Sequence, residues 1–168
     1  MVRHSVYTFG TMSFLPSANS IRTIRTNGND LAFHHLVVAL DKDLAVRDGD
    51  EHTFFSQFNK LNDIHHVVLA LDSDCAIGCG AFKPFAEGAV EIKRMYTRPT
   101  HRNCGVGTLV LTELERWAAE LGHARCVLET GRKMTEAIAL YEKRGYTATP
   151  NYGQYIGVES SVCFEKCL

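Results

Sequence analysis

The chain has 168 residues, 45% of them hydrophobic and 22% charged, which is the composition of one globular domain. Its 18 lysines and arginines nearly balance 19 aspartates and glutamates, so the charge argues against a nucleic-acid partner. No apolar run approaches the length needed to cross a bilayer, which argues against a membrane protein.

The six cysteines are expected to be reduced thiols, because a chain of this length can build a core without disulfides. We therefore expect a cytoplasmic protein. The pairs Cys75/Cys79 and Cys163/Cys167 lack the spacing of a zinc knuckle, and adjacent histidines on a strand point to opposite faces. We expect no bound metal.

The first half of the chain alternates strand and helix signals. Residues 1–19 are expected to be a flexible extension, followed by a strand over 20–26 and a capping turn over 27–30. The stretch "LAFHHLVVAL" (31–40) is apolar enough for a core helix. After a loop at "RDGD", a short helix is predicted over 51–60 with Asp50 as its cap.

Three strands are predicted next. Two apolar segments, 65–71 and 76–85, are separated by "DSD" and form a hairpin. In the third strand, 89–97, simple alternation places Glu91, Lys93 and Met95 on one face and Ile92, Arg94 and Tyr96 on the other.

A glycine-containing loop and a helix follow this strand. The apolar side chains recur at helical spacing and Gly122 ends the helix; the apolar face consists of Val110, Leu114, Trp117, Ala118 and Leu121. Gly105 and Gly107 fall at the first turn, where free N–H groups can bind an anion. The basic residues that precede the loop favour such a site, although a glycine-rich helix start can also have no ligand.

The second half predicts a strand over 124–130, a helix over 135–145 that ends at Gly145, and a strand over 160–166 after a tyrosine- and glycine-rich loop. The whole order is β-α-α-β-β-β-α-β-α-β-β. It indicates an α/β fold with antiparallel hairpins early and crossover helices late.

Three blocks in this order resemble the GNAT family of N-acetyltransferases: "VEIKRMYTRP", the loop "RNCGVG" (102–107) and "AIALYEKRGY" (137–146). The resemblance covers about 20–168. It implies a mixed central sheet of about seven strands flanked by about four helices, and transfer of an acetyl group from acetyl-CoA to an amine.

The resemblance also implies where acetyl-CoA binds. The loop and helix start would hold the pyrophosphate through Arg102, Asn103, Cys104, Gly105, Val106, Gly107 and Thr108. The preceding strand would part from its neighbour and bind the pantetheine arm through Met95, Tyr96 and Thr97. Two departures weaken individual contacts: Asn103 and Cys104 replace a glycine and a basic residue, and Met134 stands where relatives often carry an amide.

Two catalytic candidates follow from the same resemblance. Tyr141 matches the tyrosine that relatives place beside the sulfur of acetyl-CoA, where a phenol can protonate the departing thiolate. Its alternative is a tyrosine of the core. Glu91 lies eleven positions before Arg102, the offset of a glutamate base in some relatives. Its alternative is a strand residue in an ion pair with Lys93.

A small-molecule amine is the expected acceptor. Asp48, Glu51, Tyr152 and Tyr155 are its candidate contacts, because carboxylates and aromatic rings suit a cation. Acidic residues at a helix start can also stabilise the helix without any substrate. A catalytically weak acyl-CoA sensor of the same fold is the alternative function, and a homodimer is left open. A P-loop is disfavoured by the absent G-K-[ST] ending.

Overall fold

The computed structural model describes residues 21–58, 61 and 63–168. The extension predicted for residues 1–19 lies outside the described residues. The elements are β1 (Ile21–Thr26), α1 (Leu31–Asp48), α2 (His52–Ser56), β2 (His66–Asp72), β3 (Cys75–Ala86), β4 (Ala89–Thr97), α3 (Val106–Glu120), β5 (Arg125–Gly131), α4 (Thr135–Lys143), β6 (Thr147–Thr149) and β7 (Ser161–Cys167). The predicted order of strands and helices is confirmed.

All seven strands join one sheet in the order β1-β2-β3-β4-β5-β7-β6. Neighbouring strands are antiparallel except β4 and β5, which run parallel because α3 carries the chain back between them. Counting α1 to α4 and the seven strands, the expected mixed α/β sheet with about four helices is confirmed.

A hydrophobic core lies on each face of the sheet. On one face, α1 packs through Phe33, Leu36 and Leu40 against β2 and β3. On the other, α3 and α4 cover a second cluster that includes Val110 and Leu114. The side chains of β2 alternate strictly between these two clusters, as a strand buried on both faces requires.

Helix α1 is longer than the sequence predicted. Asp30 caps it as expected, since its carboxylate accepts hydrogen bonds from the N–H groups of Ala32 and Phe33. The helix then continues to Asp48, through a segment without apolar periodicity. Ion pairs to other elements stabilise this second half of the helix instead. The spacing of apolar residues in the sequence therefore does not predict it.

Two local predictions were wrong. Asp50 does not cap α2, because residues Gly49–Glu51 form a single 3₁₀ turn that runs directly into the helix. Leu121 is not on the buried face of α3: it follows the last helical turn and is 49% exposed. Gly122, with φ of 87°, takes the left-handed conformation expected after a helix end.

The predicted alternation along β4 fails at Arg94. Two residues of β4, Arg94 and Met95, lie opposite Gly80 of β3, and Arg94 has φ of 58°, so the strand carries a bulge. The extra residue puts Met95 in the same core cluster as Ile92, while Tyr96 packs on the α1 face. Gly80 accommodates the bulge, since a Cβ there would lie 2.4 Å from the sulfur of Met95.

A partly buried charge network joins α3 to the sheet. Glu115, on α3, accepts a 2.7 Å hydrogen bond from the ammonium of Lys166 on β7, and Arg144 lies 3.9 Å from the same oxygen. The side chain of Glu115 is only 9% exposed. The carboxylate therefore depends on Lys166 for compensation.

We predict that Lys166→Met lowers the free energy of unfolding by about 2 kcal/mol, less than a fully buried pair because Arg144 remains. Urea denaturation measures it. Adding Glu115→Gln should restore most of the loss, and Arg22→Met, which breaks an exposed pair with Asp74, should cost little. An equal loss for Lys166→Met and Arg22→Met would contradict the buried-charge explanation.

Candidate active site

A cleft opens where β4 and β5 part. The two strands pair from Ala89/Arg125 to Ile92/Leu128, and then continue to Thr97 and Gly131 without pairing to each other. The cleft between them has a volume of about 780 Å³ and is bordered by α1, α3 and α4. The strand separation that the resemblance implied is therefore present. Met95, Tyr96 and Thr97 all line the cleft.

One end of the cleft is formed by the N-terminus of α3. Gly105 precedes the helix with φ of 81°, and no side chain of the described residues caps the first turn. The N–H groups of this turn have no intrahelical acceptor, and Val106, Gly107 and Thr108 line the cleft. Gly107 also lets α4 approach, since a Cβ there would lie 3.2 Å from a methyl group of Leu140. This end of the cleft is suited to an anion.

Arg102 is fixed at the edge of this loop. Its guanidinium donates hydrogen bonds to the Thr97 carbonyl at 3.1 Å and to the Asp43 carboxylate at 2.5 Å, and it lies over the ring of Tyr96. Asn103 has φ of 62° and lines the cleft. Cys104 does not line it; its exposed thiol points to the carbonyl of Arg102.

Tyr141 reaches the cleft from α4. The residue is 5% exposed, and its ring packs against Tyr146 and Phe164. Within the part of the chain that the structure describes, its hydroxyl makes no hydrogen bond, so it can donate one to a ligand. Burial raises the pKa of Tyr141 above its ordinary value, which keeps the phenol protonated.

Arg47 connects α1 to α4 across the cleft. Its guanidinium pairs with the carboxylate of Glu136 and lies 3.4 Å from the sulfur of Met134. All three residues line the cleft. Met134, where relatives often carry an amide, is therefore a contact for Arg47.

Glu91 does not line the cleft, because it lies in the part of β4 that still pairs with β5, opposite Val127. Its side chain is 3% exposed. One oxygen accepts a 3.2 Å hydrogen bond from the hydroxyl of Tyr152, and Lys93 and Lys83 each lie 3.6 Å from the carboxylate. Glu91 is connected to the cleft through Lys93, which does line it.

The four candidate acceptor contacts divide into two groups. Asp48 and Tyr155 line the cleft. Glu51 instead accepts a 2.8 Å hydrogen bond from Ser160, and Tyr152 is bound to Glu91. Burial raises the pKa of Asp48, although its neighbour His52 acts in the opposite direction.

Several residues in the cleft were not singled out from the sequence as site residues, and two of them, Glu129 and Lys93, stand where the strands part. Glu129 lies on β5 immediately after the last pair with β4, and Lys93 occupies the corresponding place on β4. Burial raises the pKa of Glu129, and burial lowers the pKa of Lys93, which the carboxylate of Glu91 partly offsets. In the sequence, both are charged residues that follow the apolar part of a strand. Many ordinary surface residues show the same feature, so it does not identify a site.

The described residues contain no group of three or more His, Cys, Asp or Glu side chains arranged to hold a metal ion. The six cysteines, all within the described ranges, are free thiols. Among the described helices, none combines the length and apolar character needed to span a bilayer.

Known proteins share this sequence pattern and fold. The sequence profile of the acetyltransferase (GNAT) family matches residues 33–146. An IAA acetyltransferase of Azospirillum brasilense is 37% identical over 93 residues, which cover 55% of this chain. The match spans 61% of that relative's length.

Solved structures extend the likeness over most of the chain. A Klebsiella pneumoniae protein assigned as an acyl-CoA N-acyltransferase superposes with a TM-score of 0.74 at 29% identity, covering 90% of this chain and 99% of that one. An Elizabethkingia anophelis GNAT acetyltransferase with acetyl-CoA bound gives a TM-score of 0.65 at 20% identity, covering 89% and 99%. The second likeness shows the fold alone.

Proposed function

The chain belongs to the acetyltransferase (GNAT) family, and from this premise we propose that it transfers an acetyl group from acetyl-CoA to the amine of a small acceptor. One observation carries the proposal: the cleft between β4 and β5 has an uncapped helix N-terminus at one end and the hydroxyl of Tyr141 on its wall. An anion site and a proton donor are therefore combined in one cavity.

The fit to acetyl-CoA rests on unsatisfied backbone groups. The first turn of α3 offers N–H groups to the pyrophosphate, and the residues 102–108 form the surrounding loop. Beyond Ile92, the edge of β4 that faces β5 pairs with no strand of the described residues, so its backbone groups can bind the amides of the pantetheine arm. Arg102 adds a positive charge, which its ion pair with Asp43 partly neutralises.

Tyr141 is the proposed proton donor. Amine acetylation by direct transfer breaks the thioester bond, and the departing thiolate needs a proton. The phenol of Tyr141 stays protonated because burial raises its pKa, and its hydroxyl is available in the cleft. Its ring packing against Tyr146 fixes the direction of the hydroxyl.

Glu91 is proposed to assist removal of the acceptor's proton through Lys93. The carboxylate does not reach the cleft directly, and the ammonium of Lys93 lies between the two. Glu91 stabilises the charge of Lys93, and a charged ammonium beside the acceptor lowers the pKa of the acceptor's own ammonium, whose proton then passes to water. Its role is therefore that of a positioning residue.

The donor site is tested by Gly107→Glu. A carboxylate at the first turn of α3 would oppose both the phosphate and the helix dipole, so we expect the Kd for CoA to rise at least about tenfold above that of Gly107→Gln. Titration calorimetry measures both variants. Since Gln has the same shape, equal affinities would remove the pyrophosphate role from this loop.

Tyr141→Phe removes the proton donor and keeps the ring. We expect kcat to fall by about 10²-fold or more, with little change in the Kd for acetyl-CoA. Tyr146→Phe is the matched control, because its buried hydroxyl makes no hydrogen bond within the described part of the chain and Tyr146 does not line the cleft. A loss within about twofold would assign Tyr141 to the core. Tight acetyl-CoA binding without thiol release for any amine would instead favour the acyl-CoA sensor.

Glu91→Gln preserves shape and removes the charge. We expect the largest loss of kcat/KM at pH values below the amine's own pKa, where free amine is scarce, and partial recovery as the pH rises. Thiol release across a pH series measures it, with the exposed Glu87→Gln as control. An equal loss at every pH would identify Glu91 as a structural glutamate.

A further inference from the structure

Glu129 occupies a special position in the cleft. It is the first residue of β5 beyond the last pair with β4, so its side chain stands at the point where the strands part. Its neighbours Cys126 and Leu128 point into the core beneath α3, and strand alternation directs Glu129 to the opposite face, toward α1. Asp48 and Tyr155 line the cleft on that side.

The carboxylate of Glu129 is oriented but not neutralised. The hydroxyl of Ser161 donates a 2.6 Å hydrogen bond to one oxygen. No cationic side chain of the described residues lies within 4.0 Å of either oxygen. Lys93 acts on this carboxylate only from a longer distance, so a cation bound directly to it would stabilise a charge that is partly withdrawn from water.

We propose that Glu129 binds the ammonium group of the acceptor, and that the acceptor is a primary amine with an apolar or aromatic body and no carboxylate beside the amine. This inference rests on the proposed acetyl transfer and names the substrate class of the same site. It makes Glu129 a substrate-binding residue that determines specificity.

The charge distribution disfavours an acceptor with a carboxylate next to its amine. Glu129 and Asp48 both line the cleft. Of the cations nearby, Lys93 pairs with Glu91, Arg47 pairs with Glu136, and Lys133 acts on Asp48. A negative charge in the ligand would therefore meet two carboxylates and would compete with them for these cations.

The walls beside Glu129 favour an apolar body. Phe55 of α2 and Tyr155 line the cleft, and Leu44 of α1 completes this side. The ring of Tyr155 also packs against Phe58 and Tyr152, which fixes its position. Lys93 already donates a hydrogen bond to the hydroxyl of Tyr155 at 3.2 Å, and its ammonium lies 5.8 Å from the centre of the ring. The aromatic surface therefore serves the hydrocarbon part of the amine, and Glu129 serves its ammonium.

A pH dependence follows from the surroundings of Glu129. Burial raises the pKa of its carboxyl, so the group takes up a proton at a higher pH than an ordinary glutamate does. Ser161 donates a hydrogen bond to it, and the charged or titratable groups that interact with it are Lys93 and Glu91 on β4, Asp48 on α1, Tyr141 on α4, Cys163 on β7, and Tyr155. Binding of an ammonium should weaken as the pH falls through the raised pKa of Glu129.

The test uses two matched probes, phenethylamine and phenylalanine, which differ by one carboxylate. Each is titrated calorimetrically into the full chain saturated with CoA. We expect the wild type to bind phenethylamine at least about tenfold more tightly than phenylalanine, and Glu129→Gln to lose about 10- to 100-fold for phenethylamine. Glu129→Asp should recover part of the loss, and the exposed Glu87→Gln should bind as the wild type does.

Two further readouts separate this inference from its premise. The loss in Glu129→Gln should shrink at acidic pH, and the Kd for CoA should be unchanged, neither of which misfolding would produce. Equal probe affinities in Glu129→Gln and Glu87→Gln, or no binding of phenethylamine by the wild type, would overturn the inference. If the inference fails in this way but the protein acetylates other amines, the proposed acetyl transfer still holds. If phenethylamine binding depends on Glu129 but no amine leads to thiol release, the inference about Glu129 holds and the proposed acetyl transfer is wrong.

Discussion

The parting of β4 from β5 is the constraint on which the rest of the structure depends. Buried backbone groups need hydrogen-bond partners, and the parallel ladder supplies them only as far as Ile92 and Leu128. Beyond that point, β4 keeps its pairing with β3 and presents an unpaired edge to the cleft. A ligand with amide groups can complete this edge in the way a neighbouring strand would. The residues proposed for binding and catalysis lie in or beside the cleft that this separation creates.

Ion pairs from α1 hold the wall of the cleft. Asp41 binds the guanidinium of Arg94, whose side chain is 2% exposed, and so secures the bulge at its least favourable backbone conformation. Asp43 and Arg47 extend the same connection to the glycine loop and to α4. The second half of α1 therefore contributes to the site through charge, while its first half contributes to the core through apolar packing.

The cleft carries opposite electrical character at its two ends. The N-terminus of α3 presents a positive dipole, whereas Glu129 on β5 and Asp48 at the end of α1 bring negative charge to the cleft. A donor with a pyrophosphate and an acceptor with an ammonium would each be attracted to its own end. The separation would also oppose binding of either proposed ligand in the reverse orientation.

The sequence by itself determined the order of the elements, the bounds of β4, the glycine loop and the helix end at Gly122, because periodicity and glycine conformation are local properties. Only the tertiary structure decided that the bulge at Arg94 turns Met95 into the core, and that Glu129 lines the cleft while Glu91 does not. These outcomes depend on where two strands distant in the chain stop pairing. That point is fixed by contacts between elements, and no periodicity within one element encodes it.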